Sequence, residues 1–338
     1  MERLLAIVFL FCFVPAVASA ESPAIPPPPA GPYVGQPLPG DEPALFAPGI
    51  VSTALYTRDI AMTPDGREIY FSVSTGGYTY SAIAVTRLVD GRWTPPEVAP
   101  FSADATYKYG EPCITPDGRQ FFFASSRPAG GGPPREHDWD LWVMDRAGDG
   151  WGEPRNLGAP VNSPVGEFFP SVTRDGTLYF TRTDHEAGTN FIYRARRSDD
   201  GYAEPEKLPA PVNGAPAQFN ARVAPDESFL ILPIYGRPDT CGATDYYILF
   251  RKPDGSWGDP IHLGPPISSK SGEEYSPALS PDGNYFFFMS VRPAAEAPPG
   301  GRLNLDFLRR TASLPGCGNP AIYWMKASFI ERLRPKAE

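Results

Sequence analysis

A five-bladed β-propeller is the fold class that this sequence predicts, on three observations. A turn motif followed by an apolar run recurs five times along 338 residues. Its second residue falls at 64, 116, 174, 225 and 281, giving spacings of 52, 58, 51 and 56. A period of that length, filled with short strands, is the signature of a propeller blade. A second motif sits between successive copies of the first. The fifth copy lacks this second motif, and the missing piece lies near the other end of the chain.

In chain order, Arg3, the apolar run Leu4–Val14 and the small residues Ala18-Ser19-Ala20 read as a secretory signal, cleaved after Ala20. Residues 21–41, "ESPAIPPPPAGPYVGQPLPGD", read as an extended proline-rich tether. No other segment could cross a bilayer, so a periplasmic or secreted location is expected. The propeller is expected over 42–327, with a tail at 328–338.

The five motif copies are "TPDGREIYF" (63–71), "TPDGRQFFF" (115–123), "TRDGTLYF" (173–180), "APDESFLIL" (224–232) and "SPDGNYFFF" (280–288). Proline pre-sets φ, aspartate bonds locally and glycine accepts positive φ, so each tetrad predicts a hairpin turn between strands A and B. The apolar run is strand B, buried on both faces. Strand C follows in "AIAVTRLV", "DLWVMDRA", "NFIYRARR", "DYYILFRK" and "AIYWMKAS". The second motif, "RWTPPEVAP", "WGEPRNLGAP", "YAEPEKLPAP" and "WGDPIHLGPP", reads as the outer strand D. "EPALFAPGIVS" (42–52) matches "EPRNLGAPVNS" (153–163), so the N-terminal segment is expected to supply strand D of blade five and close the ring.

Net charge is −9 and no long basic run exists, which argues against nucleic-acid binding. The tetrads with their apolar runs, together with "SSRP" (125–128), "DLW" (140–142) and "SVRP" (290–293), resemble the TolB-type (PD40, WD40-like) propeller repeats over about residues 42–327. The resemblance implies the fold and leaves scaffold, binding and enzymatic roles open. TolB itself has six blades and a further N-terminal domain, unlike the pattern here. No G-x-S-x-G nucleophile elbow is present, and three histidines are a poor supply for the metal site of the TolB-like oligogalacturonate lyases.

Strand A lines the channel of a propeller. By strand alternation, positions −5 and −7 from the second tetrad residue are expected to share the channel face. They hold Thr57 and Asp59, Tyr109 and Glu111, Glu167 and Phe169, Gln218 and Asn220, and Glu274 and Ser276. Arg127 and Arg292 end strand B on the same side, with Arg237 one residue out of register. The expected ligand-binding set is therefore Asp59, Tyr109, Glu111, Arg127, Glu167, Gln218, Asn220, Arg237, Glu274 and Arg292. Such a ring suits a saccharide or peptide ligand, or a protein partner. The alternatives are a carbohydrate-active lyase or hydrolase using two of the carboxylates, an envelope scaffold, and a channel closed by Glu–Arg pairs that binds nothing. No cofactor is expected, and a monomer is.

His137, Asp138, Asp184 and His185 share neighbouring B–C loops and form a weak candidate metal set, without a compact ligand motif. His262 lies on an outer strand and reads as structural. Cys241 and Cys317 precede strand C in adjacent blades, so a disulfide between them is expected, against the alternative of two free thiols too far apart to bridge. Cys113, within strand A, reads as a buried apolar residue.

Overall fold

The computed structural model describes residues 29–199, 201–270, 273–293 and 298–336. The expected signal sequence and the first part of the proline-rich segment lie outside them. Five antiparallel sheets follow one another as the blades of a propeller. Strands A, B and C run over Tyr56–Met62, Glu68–Thr75 and Tyr80–Val89 in blade one, and Tyr109–Ile114, Gln120–Ser125 and Asp140–Ala147 in blade two. Blade three has Glu167–Val172, Leu178–Asp184 and Thr189–Ala195. In blade four strand A is split into Ala217–Gln218 and Arg222–Val223, followed by Phe229–Tyr235 and Thr244–Phe250. Blade five has Glu274–Leu279, Tyr285–Ser290 and Ala321–Lys326.

The tetrads form the A–B turns as the sequence predicts. In blade one the Thr63 hydroxyl donates to Asp65 (2.6 Å), which accepts the Arg67 N–H (3.1 Å). Gly66 sits at φ 68°, where a side chain would be strained. The apolar run then alternates between two interfaces. Phe286 and Phe288 pack toward blade four, while Phe287 packs toward blade one. Phe121 and Phe123 face blade one, and Phe122 faces blade three. The hydrophobic core is thus five cores, one in each blade interface, and every B strand feeds two of them.

The outer motif differs from a single strand D. Its leading aromatic pairs back onto the end of strand C, as in Leu88 with Trp93. A proline then interrupts the ladder, having no N–H to donate. Strand D proper is a two-residue pairing beyond it: Glu97–Val98, Arg155–Asn156, Glu206–Lys207 and Ile261–His262.

Closure occurs as expected. Ala44 pairs with Trp324 and Leu45 with Tyr323, so the N-terminal strand is the outer strand of blade five. The described part of the proline-rich segment is not a free tether, however. The Pro29 carbonyl accepts the Trp93 N–H, and Gly31 accepts the Trp93 indole N–H (2.7 Å). Val34 is buried, and Tyr33 packs on Tyr285 and Trp324. Apolar residues among the prolines give this stretch something to bury. The C-terminal tail likewise packs, through Phe329 and Ile330 of a short helix, α2 (Phe329–Leu333). A longer helix, α1 (Leu305–Ala312), occupies the blade-five insertion, capped by Asn304 accepting from the Phe307 N–H (2.8 Å). Among the described residues no helix is long and apolar enough to cross a membrane.

Phe46 tests the seam. It is fully buried against Phe287 (5.0 Å) and Trp324 (5.1 Å). Phe46→Ala should lower the unfolding free energy by about 3–5 kcal/mol in urea titration. A loss below about 1 kcal/mol would mean that the strand adds little to closure.

Candidate site at the channel mouth

Every A strand carries the same irregularity. Register slips between Arg58 and Ile60, Gly110 and Cys113, Phe168 and Ser171, and Tyr275 and Ala278. The residue at position −5 is left-handed in all five blades: Asp59 (φ 49°), Glu111 (60°), Phe169 (52°), Asn220 (51°) and Ser276 (65°). These are β-bulges, which re-aim a side chain and break strict alternation. Positions −5 and −7 therefore do not share a face, and the predicted ring separates into two sets.

The −5 set links the blades at the channel. The Glu111 N–H donates to Ser72 Oγ (2.9 Å) and Asp59 Oδ2 (3.3 Å) of blade one. The Phe169 N–H donates to Glu111 Oε2 (2.7 Å), and the Asn220 N–H to Thr181 Oγ1 (2.9 Å). Asn220 Nδ2 donates to Ser276 Oγ (3.5 Å). Asp59, Glu111 and Asn220 thus stand where the sequence placed them.

The −7 set does not. Tyr109 is a core residue of the blade one–two interface. Glu167 accepts from Ser163 (2.5 Å) and pairs with Arg182 (2.8 Å). Gln218 bridges the Asn190 carbonyl (2.6 Å) and the Ala215 N–H (3.2 Å). Glu274 accepts from Ser269 and from Ser290 (3.0 Å), with Arg292 at 3.9 Å. These groups fasten the loop that enters each blade.

The strand-B arginines also turn away from the channel. Arg127 lies over Trp142 (4.8 Å), Arg182 over Tyr193 (4.7 Å), Arg237 over Tyr247 (5.0 Å) and Arg292 over Tyr323 (5.2 Å). Each caps an aromatic of its own strand C, an attraction between a cation and a ring face. Arg292 also donates to the Pro266 carbonyl (2.8 Å).

The histidine loops do not form the expected metal set. His185 Nε2 pairs with Asp138 Oδ1 (2.8 Å), while Asp184 accepts the Ala187 N–H (2.8 Å) and His137 lines a separate cleft. The four residues do not converge, because the two loops carry their side chains apart. Cys241 and Cys317 are free, contrary to the expected disulfide. Cys317 Sγ faces the Ala54 carbonyl (4.0 Å), and Asn319 donates to the same carbonyl (2.8 Å). The entry to strand C of blade five therefore leans on blade one, away from Cys241. Cys113 is buried as expected.

The cleft at the channel mouth is built largely from residues outside the predicted set. It holds about 400 Å³ and is lined by Arg58, Tyr78, Lys108, Glu111, His137, Trp139 and Phe168, with Gly77 and Glu136. Arg58 and Phe168 occupy position −6, next to the bulge. Arg58 binds Glu111 Oε1 (3.1 Å) and Asp59 Oδ2 (3.4 Å) and lies between the rings of Tyr78 (5.5 Å) and Tyr275 (5.8 Å). Burial opposes its charge, but Asp59, Tyr78 and Glu111 outweigh that and raise its pKa. Burial pushes Glu111 up to about 7, with Arg58 opposing and Asp59 reinforcing. Lys108 pairs with Glu136 at the rim (2.5 Å). A Cβ at Gly110 would already lie 3.5 Å from Trp139 and 3.7 Å from Arg58, so any longer side chain there would fill the floor.

Burial also raises Glu274 to about 7, against hydrogen bonds from Ser269 and Ser290. Between its ordinary value of 4.5 and about 7, the folded chain keeps a proton that the unfolded chain releases. Stability then falls as pH rises through that window and is level above it. Glu274→Gln should remove this component. The wild-type advantage over the variant in denaturant titrations is expected to shrink from pH 4.5 to 7; an advantage that grows with pH would show an ionised Glu274.

No protein-family model matches the chain, and no curated protein matches it. Solved structures do. One described as "Glycoside hydrolase" superposes with a TM-score of 0.53 at 11% identity, covering 88% of this chain and 93% of its own. Another, a complex of BT0996 with RGII, gives 0.54 at 11% identity, covering 89% and 94%. At these identities the likeness is one of fold: a five-bladed β-propeller.

Proposed function

We propose that this protein is an exported propeller that binds a saccharide in the cleft at its channel mouth. The observation that carries the reading is the cleft itself. Tyr78, Trp139 and Phe168 supply aromatic walls, and Arg58, Lys108, Glu111 and His137 supply charged or polar groups around the same space. Apolar faces with a few convergent polar groups suit a sugar ring, which offers C–H faces and hydroxyl edges. A glycoside hydrolase among the fold neighbours makes saccharides the class to test first.

A second reading, glycosidic bond cleavage, is favoured by one feature. Glu111 is held near neutrality beside a second carboxylate, Asp59, as a general acid and its partner would be. Arg58 bridges both carboxylates, and for that reason binding is placed first.

An oligosaccharide panel read by calorimetry and by product analysis tests both readings. Trp139→Ala should weaken binding of the captured glycan at least about tenfold while leaving the fold intact. No captured glycan, or unchanged affinity in Trp139→Ala, would overturn the proposal. Turnover by the wild type that Glu111→Gln abolishes without loss of binding would establish the second reading.

A further inference from the structure

The side-chain donors with metal-ligand geometry lie in blade four, far in sequence from the histidine loops. Cys241 sits in the B–C loop, Asp245 is the second residue of strand C, and His262 ends strand D. One ligand atom from each lies within 4.8 Å of the others. The sheet assembles them. His262 pairs with Tyr247 across the C–D ladder, and its ring stacks on the Tyr247 ring (4.9 Å between centroids, 29° between planes). That stacking holds Nε2 at 3.0 Å from Asp245 Oδ2. The Cys241 N–H donates to the same oxygen, drawing the loop onto the carboxylate. Tyr247 is fixed in turn by its hydroxyl donating to Asp239 (3.0 Å) and by Arg237 over its other side (5.0 Å).

Asp245 supplies the second observation. It is completely buried, and its Oδ1 has no hydrogen-bond partner among the described residues. Among those residues no lysine or arginine forms an ion pair with it; its charge partner there is His262. A buried carboxylate with a bare oxygen is expensive unless a cation answers it. The neighbours able to help are a thiol and an imidazole, both metal ligands.

We propose that Cys241, Asp245 and His262 form a transition-metal site, of a kind that suits zinc. A sulfur, an imidazole nitrogen and a carboxylate oxygen match borderline zinc; calcium and magnesium take oxygen sets. Three protein donors leave a fourth position for water or a ligand. Binding releases the thiol proton, since the thiolate is the ligand. The metal would fasten the B–C loop of blade four to its outer strand. The stacked Tyr247 would act as a positioning residue for His262.

The test uses the whole chain after chelator treatment. Zinc titration against a chromophoric competitor should show about one equivalent bound. Zinc should protect Cys241, and not Cys317, from iodoacetamide in peptide mapping. His262→Gln and Asp245→Asn should each weaken binding at least about tenfold. Cobalt(II) on the wild type should give a sulfur-to-metal charge-transfer band, which decides the matter if a variant does not fold. Failure to bind zinc, binding unchanged in both variants, or a cobalt spectrum without the sulfur band would overturn the proposal.

Discussion

The structure depends on the left-handed residue in each strand A. At that point the backbone N–H no longer joins its own ladder and needs an acceptor elsewhere. Glu111 finds Ser72 and Asp59, Phe169 finds Glu111, and Asn220 finds Thr181, each time in the preceding blade. A local distortion thus becomes the bond between blades. The side chains of Asp59 and Glu111 are committed partly to this task, and Arg58 balances the charge they bring inside. The chemistry at the mouth is therefore tied to the architecture: removing Glu111 would strip an acceptor from Phe169 and a counterion from Arg58 together.

This coupling explains what could be read from the sequence and what could not. The tetrads and the three-phenylalanine runs are legible because turn chemistry and burial on two faces each demand particular residue types. The closing strand is legible because "EPALFAPGIVS" repeats the outer motif. The bulge is not. Asp59, Asn220 and Ser276 are polar residues of the sort that enter left-handed conformations, but Glu111 and Phe169 carry no such sign. Missing it turns Glu167 and Glu274 inward on paper, although both fasten loops. It also hides position −6, where Arg58 and Phe168 reach the cleft. A basic residue beside the repeated acidic position was the available signal.

The arginines at the ends of strand B show a related limit. Sequence register places Arg127, Arg237 and Arg292 at one end of the propeller, as observed. It does not show that each has an aromatic from strand C within reach. Such a partner holds a guanidinium without neutralising it, and lets the stem cover apolar surface. The outcome is a rim stiffened by cations whose charge is directed away from the channel.

The pairing of residue 44 with residue 324 has a temporal side. A chain that emerges N-terminus first presents its outer strand long before the sheet that receives it exists. Blades one to four can collapse in sequence from local hairpins, whereas the last must wait for nearly the whole polypeptide. Until then Leu45 and Phe46 are apolar and unaccompanied, and the first blade has an open flank. The seam is thus the latest event in folding, and the stretch of chain most in need of protection is also the first to be made.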